Sequence, residues 1–366
     1  MSVNRWNRSI SHQGKSANQF IQDYFSDRTV FLIAGAGFDP RSTAVAEAVS
    51  NACSNPLAGL LIREERANPD SLQLVAAGNH QTRLQELVPN NTALPIQIFS
   101  ADNAVTGGIQ AARAVANLDL QGITDVVVDV SALSLGISFP VARVLCELLP
   151  QGAQPNLHVM FVSEPSTDQE IESTAGDQVT TVHGYKGGLG LDSNNDAAKL
   201  WLPLLFRKQR SVLDKIHSFV EPDETCPVLP FPCLNPRLPD ELIQYYGESF
   251  ESSWEVDPKN LVFADEQKPL DIYRTILRID DARRQVFQDV CGSMTVLTPI
   301  GSKVLAIGAM LAAIERDFPV VYIESIDYRV DLDKLQQLRQ GTGDIGHVWI
   351  SGEAYASIND TEGIVS

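Results

Sequence analysis

Asp39 and Arg41 stand two residues apart, immediately after the run T-V-F-L-I-A-G-A-G-F of Thr29–Phe38. A carboxylate beside a glycine turn can serve as a base, a metal ligand or a ribose ligand. A guanidinium there can clamp phosphate or carboxylate through its planar fork. The run is apolar and β-branched, and it breaks at Gly35-Ala36-Gly37. Ser42 or Thr43 then offers an N-cap for the alanine-rich pattern Ala44–Val49. Strand, tight turn and helix N-terminus together put backbone N–H groups and a positive dipole end where an anion can sit. The third glycine of the dinucleotide fingerprint and the Gly-Lys-Ser/Thr end of a P-loop are both missing. The pattern therefore predicts a nucleotide-like anionic ligand held by Gly35 and Gly37 and clamped by Arg41, with Asp39 beside it. The plainer alternative has Asp39 capping the helix and pairing with Arg41 at the surface.

Further candidates end other strands. Asp129 and Ser131 close the run Val126–Val130 and, two apart, share one side of an extended chain. They read either as ribose or metal ligand beside a hydroxyl, or as a cap for the next turn. Ser100-Ala101-Asp102-Asn103, Glu164 and Asp265-Glu266 close strands in the same way. The loop Thr180–Gly188 brings His183, Tyr185 and Lys186 between glycines, and His183 could act as general acid or base; a plain glycine hinge is the alternative. Lys303 opens a helix after Leu297–Ser302, where its charge opposes the dipole, so an anionic ligand, a carboxylate or a partner is expected there.

These residues need a frame. Strand patterns of about five residues alternate with helices: Val30–Ala34, Gly59–Arg63, Ile96–Ser100, Asp125–Val130 and Asn156–Ser163 as strands, with helices Ser42–Ser54, Thr106–Leu118 and Phe139–Leu149. Thr82–Leu87 reads as a helical turn. After the polar stretch Pro165–Gly190, Asp196–Phe219 reads as helix and Val228–Phe231 as a proline-guarded strand. Asp240–Phe250 follows as helix, Asn260–Ala264 as strand and Pro269–Val290 as helix. Ser293–Leu297 is a strand, Gly301–Glu315 a helix and Val320–Glu324 a strand. The expected fold is α/β and Rossmann-like, a mostly parallel sheet with helices on both faces, with room for two such units. The expected organisation is a polar N-terminal arm over 1–26, a nucleotide-binding unit over 27–165, a glycine-rich loop region over 166–195 and a second α/β unit over 196–366.

Composition limits the function classes. Of 366 residues, 44% are hydrophobic and 20% charged, as in an ordinary globular protein. The net charge of -18 and the absence of any Lys/Arg run argue against direct nucleic-acid binding. No apolar run reaches the length of a membrane span, and the polar N-terminus does not read as a secretory signal. Five scattered cysteines fit a reducing cytoplasm, and Cys226 and Cys233 match no zinc or redox spacing. No histidine spacing suits a metal.

Gly35-Ala36-Gly37 after the first strand, with His183-Gly184, resembles sirtuin-like NAD-consuming domains. That resemblance implies NAD as cofactor and His183 as the catalytic histidine. Ser100-Ala101-Asp102-Asn103 stands where that family has threonine, asparagine and aspartate, and the strand Val126–Val130 intervenes before His183. The residues taken together describe a cytoplasmic protein binding a nucleotide-like anionic small molecule, as a hydrolase or glycosyl- or group-transfer enzyme. Asp39, Asp129 and His183 are its catalytic candidates; Gly35, Gly37, Arg41, Ser131, Tyr185 and Lys303 are its ligand contacts. The cofactor is unassigned, with NAD or another nucleotide implied. A non-catalytic Rossmann-like ligand-sensing or scaffold subunit is the alternative. A protein partner or a second copy is expected, and neither nucleic acid nor membrane.

Overall fold

A computed structural model describes residues 4–6, 9–149, 151–187, 197–332, 335 and 343–356. Of the glycine-rich region expected over 166–195, residues 188–195 lie outside the described residues. The chain forms two compact units. The first comprises Arg8–Ser173 together with the chain from Ile326 onward. The second comprises Thr174–Ser325 together with Met1–Asn7.

The first unit begins with β1 (Ser11–Gln13), α1 (Lys15–Tyr24) and β2 (Val30–Gly35), then α2 (Ala44–Ala52), β3 (Ala58–Glu65) and α3 (Ser71–Leu87). It continues through β4 (Asn90–Gln97), α4 (Gly107–Ala116), β5 (Asp125–Asp129), α5 (Leu135–Leu148), β6 (Asn156–Ser163) and α6 (Pro165–Glu170). Strand β7 (Glu172–Thr181) leads into the second unit. There follow β8 (Ala198–Pro203), α7 (Arg210–Val220), β9 (Glu224–Thr225), β10 (Val228–Pro230), α8 (Leu238–Ser252) and β11 (Val262–Ala264). Then come α9 (Pro269–Phe287), β12 (Ser293–Thr298), α10 (Lys303–Arg316) and β13 (Val321–Arg329). β13 pairs with β7, and β14 (Asp344–Ser351) closes the first unit's sheet.

That sheet has the order β1-β14-β6-β5-β2-β3-β4. β2 lies inside it, parallel to both β3 and β5, as the sequence predicts. β5 (D-V-V-V-D) and β2 are buried along nearly their whole length, which explains continuous apolar runs in place of alternation. α1 and α2 cover one face through Ala17, Ile21, Val45, Ala46 and Val49, packed on Leu32, Ala34, Val127 and Met160. Only β14 is antiparallel to β6, and β1 is antiparallel to β14.

The second unit repeats the plan. β8 pairs in parallel with β12 and β9, and β10 with β11. Parallel bridges Leu204–Val228 and Leu297–Val320 join β8 to β10 and β12 to the start of β13. The strand succession β11-β10-β8-β12-β13 therefore mirrors β4-β3-β2-β5-β6, with β8 and β2 in the middle. Trp201, Leu213, Ile216, Tyr246 and Val296 form its core. α10 is buried nearly all round, from Val304 to Ala313.

Several elements depart from the sequence expectation, among them α6 and β7, which occupy part of the stretch Pro165–Gly190 read as polar loop. β8 occupies the start of a stretch read as helix, because L-W-L-P-L-L is too short for periodicity to decide. α3 runs for 17 residues where only a turn was expected. Its start is set by Asp70, whose carboxylate accepts from the N–H groups of Leu72 and Gln73, while Leu72, Leu74 and Val75 are exposed, so it has no apolar stripe to read. β4 begins six residues upstream of the expected Ile96, because it is an edge strand with mostly exposed side chains.

Beneath β1 and β14 runs a buried polar chain. His12 and His347 are cross-strand partners, with their Nδ1 atoms 3.0 Å apart. His347 Nε2 lies 2.9 Å from His158 Nδ1, and His158 Nε2 lies 3.1 Å from Asp125 Oδ1. Asp125 also accepts from Tyr24 Oη at 2.9 Å, Asn156 Nδ2 at 3.0 Å and Thr124 Oγ1 at 2.6 Å. Burial lowers the pKa of His12, His158 and His347, the last furthest. Burial alone would raise Asp125, but the hydrogen bonds from His158 and Thr124 hold it below the usual carboxylate value.

A native histidine with a depressed pKa binds fewer protons than its unfolded counterpart at acid pH, so stability is lost as pH falls below about 6.5. Each buried histidine contributes a slope of up to about 1.4 kcal/mol per pH unit, and Asp125 adds its own loss only at much lower pH. Urea unfolding near pH 7.5 and near pH 5.5 should therefore show a lower free energy at the acid value. An equal or higher value at pH 5.5 would contradict the neutral state of this chain.

Candidate functional site

In the first unit the strand order reverses between β2 and β5, the point where open α/β sheets form their ligand crevice. Two loops meet there, Ala36–Asp39 after β2 and Val130–Ser134 after β5. A Cβ on Gly35 would sit 2.8 Å from the backbone carbon and oxygen of Ala132, so only glycine lets the loops meet. One on Gly37 would meet nothing nearer than 3.7 Å. The Gly37 carbonyl accepts from His80 Nδ1 at 2.9 Å, which assigns the proton to Nδ1 and leaves Nε2 as acceptor on the neutral ring. Phe38 packs on Tyr328 at 5.6 Å, and the Arg66 guanidinium lies 4.9 Å from the Tyr328 ring. His80, on α3, is a residue the sequence analysis does not single out. Its only signal was α3 itself, which has no stripe to betray it.

The charges at this crevice are committed to one another. Arg41 Nη2 pairs with Asp39 Oδ2 at 2.8 Å and Nη1 with Asp168 Oδ1 at 2.7 Å, and the Arg41 side chain is 4% exposed. Burial alone would lower the Arg41 pKa, but the Asp39 and Asp168 charges raise it. Asp39 Oδ1 also accepts from the Arg41 backbone N–H at 2.9 Å, capping the turn that enters α2. Glu64 Oε1 does the same for Ser134 N–H at 2.7 Å, at the N-terminus of α5. Both helix entrances thus hold the chain's own carboxylates. Asp129 Oδ1 accepts from Ser131 N–H at 2.9 Å, and Ser131 Oγ accepts from Val162 N–H at 2.9 Å, which fastens the β5 loop to β6. Asp129 and Ser131 are buried. Of the sequence candidates, then, Gly35, Gly37, Asp39, Arg41, Asp129 and Ser131 gather at this one crevice.

His183, Tyr185 and Lys303 belong to the second unit. Tyr185 is a core side chain, and its carbonyl accepts from Val320 N–H at 2.9 Å; His183, two residues before it, is exposed. Lys303 stands at the second unit's own point of strand reversal, between β8 and β12. Here Gly301, at φ +109°, lies so close to Phe206 that a Cβ would sit 2.5 Å from the Phe206 Cβ. The Phe206 carbonyl accepts from Tyr246 Oη at 2.7 Å, which fixes the β8 loop. That loop runs Arg207-Lys208-Gln209 into Arg210 at the start of α7, and Ser302-Lys303 opens α10. Arg207 pairs with Glu241, and Arg210 with Glu248 at 3.0 Å. Both arginine side chains are 39% exposed. Among the described residues no cluster of three or more His, Cys, Asp or Glu could hold a metal ion, and no helix is long and apolar enough to cross a membrane.

No family model matches the chain, and no curated protein matches it. Among solved structures it aligns with the cytoplasmic domain of a prokaryotic cation chloride cotransporter. The alignment has 8% identity and a TM-score of 0.23, covering 86% of this chain and 100% of that one. An overlap of that order assigns neither a family nor a function.

The two glycines of the first turn separate in consequence. Gly35→Ala forces the Ala132 backbone to move and should cost about 1–3 kcal/mol, as overpacking does. Gly37→Ala enters ordinary van der Waals space and should stay within about 0.5 kcal/mol. Thermal unfolding of the two variants measures this, and equal losses would show that the loops do not meet as described.

Proposed function

We propose that this chain is a non-catalytic, Rossmann-like ligand-sensing or scaffold protein. In this reading it binds a nucleotide-like anionic small molecule at the second unit's crevice, through Arg207, Lys208, Arg210 and Lys303. One observation supports the choice of crevice: Arg41, the guanidinium of the first unit's turn, is buried between two carboxylates, whereas the Arg207 and Arg210 side chains are each 39% exposed. Freeing one partner of a buried pair costs about 3–5 kcal/mol. An exposed pair such as Arg210–Glu248 is worth about 0–1 kcal/mol, so an anion can take over its guanidinium cheaply. The loops Leu204–Arg210 and Pro299–Lys303 contain no carboxylate, histidine or cysteine, which supports binding without turnover. A cytoplasmic setting and a protein partner or second copy fit this reading.

The enzyme reading draws on a different observation. His80, held through Nδ1 by the Gly37 carbonyl, offers Nε2 beside the first turn, where Asp39 and Asp129 also lie. Under that reading a nucleotide is turned over, and His80→Gln or Asp39→Ala abolishes turnover.

Calorimetric titration with ADP, NAD and pyrophosphate separates these. We expect binding without turnover, weakened about tenfold or more by Lys303→Ala or Arg207→Ala, the worth of one charge-assisted hydrogen bond. The melting temperature of Lys303→Ala should barely change, since a lysine at a helix N-terminus opposes the dipole by about 0.3–1 kcal/mol. Binding unaffected by both variants, or a marked loss of stability in Lys303→Ala, would assign these residues to the fold.

A further inference from the structure

The chain His12–His347–His158–Asp125 spans four adjacent strands, β1, β14, β6 and β5, and has one outlet. His12 is half-buried, and the other three are buried. Its hydrogen bonds can be counted. Asp125 faces donors on both oxygens, from Tyr24, Asn156 and Thr124, and Arg28 Nε lies 3.9 Å from Oδ2. As a carboxylate it only accepts, so His158 must present Nε2–H to it. His158 Nδ1 is then an acceptor, which requires His347 Nε2–H. His347 Nδ1 is in turn an acceptor, which requires His12 Nδ1–H. Three neutral rings thus supply one hydrogen to each of three contacts, and one tautomer set alone satisfies them.

We propose that this chain is a one-proton relay that latches the N-terminal segment β1–α1 onto the sheet, closed with three neutral rings or one extra proton and opened by a second. The first extra proton has a place to go, His12 Nε2, which lies outside the three contacts. From there successive shifts along the rings move it inward without breaking a hydrogen bond. A second has none: it would set N–H against N–H across 3.0 Å between His12 and His347, or across 2.9 Å between His347 and His158. The weakest place to yield is β1, which pairs only at Ser11, His12 and Gln13 and at whose ends lie Trp349 N–H to Ile10 and Gly14 N–H to Ile345. Phe20 of α1 stacks on both His12 and His347, at 4.5 and 4.3 Å, so α1 shares their fate.

The other groups facing the chain do not take the second proton's place. Tyr24 is held protonated, raised by burial and then by Asp125, and the Cys53 thiol is pushed up to about 11 by burial and then by Asp125. The Arg28 guanidinium adds positive charge beside Asp125 and is itself paired with Glu353 at 3.2 Å. Asn156, which also donates to Asp125 and Glu353, does not titrate. Release of β1 would leave β14 as the sheet edge, with its backbone groups open to pairing.

Two measurements on the full chain test this. Long-range proton–nitrogen spectra near pH 8 should show His12 as Nδ1–H, and His347 and His158 as Nε2–H; any other tautomer set overturns the relay. Amide hydrogen exchange between about pH 7.5 and pH 5, corrected for intrinsic rate, should show residues 10–24 and Trp349 losing protection about tenfold or more, while Val126–Val128 keep theirs. Protection retained throughout, or lost together across β1 and β5, would overturn the latch.

Discussion

Arg41 between Asp39 and Asp168 decides what the first strand reversal can do. A guanidinium 4% exposed has given up its hydration, and two carboxylates at 2.7 and 2.8 Å replace it. Withdrawing it for a ligand would leave two partly buried negative charges with no counter-ion, a larger loss than one new phosphate contact returns. The same triad joins the β2 turn to α6, so the corner that sequence marks as a phosphate site has its guanidinium held by two carboxylates. Glu64 at the entrance to α5 extends the pattern: it accepts from the Ser134 N–H and pairs with Arg66 at 3.1 Å.

The second unit uses the same geometry, with its ion pairs more exposed than those of the first. In both, the strand before the crossing (β2 or β8) lies central, and the loops after β2 and β5, or after β8 and β12, cross so tightly that one must carry glycine: Gly35 against Ala132, Gly301 against Phe206. Near Gly35 stand Asp39, Glu64, Asp129 and Asp168, with Arg41 paired to Asp39 and Asp168 and Arg66 to Glu64. The loops that meet at Gly301 carry Arg207, Lys208, Arg210 and Lys303, with Arg207 paired to Glu241 and Arg210 to Glu248. The second crossing belongs to a chain whose net charge is -18. Its ion pairs are at the surface, where screening makes them weak and exchangeable.

Much of this was legible in the residues. Continuous apolar runs such as Val126–Val128 and the break at Gly35 sufficed for a parallel sheet with β2 inside it, since period and turn chemistry are local. Gly301 and Lys303 were visible as a second corner for the same reason. Other elements were not. β8 is a short apolar run bounded by proline, and it becomes a strand only because β12 and β9 flank it. The partners of Arg41 are Asp39, two residues away, and Asp168, 127 away; the nearer was readable as a cap, and the farther exists only through the fold. The histidine chain draws on positions 12, 158 and 347, which no spacing rule connects. They meet because β14 returns to pair with both β6 and β1.

The distribution of charge between the two reversals is most directly tested by a footprint. Hydrogen exchange of the full chain should be compared with and without saturating pyrophosphate or ADP. Added protection at residues 204–210 and 299–305, with 35–41 and 130–135 unchanged, is the result expected of an anion held by the second unit. Protection at 35–41 instead would show that the Arg41 joint opens for ligand, and would contradict the account.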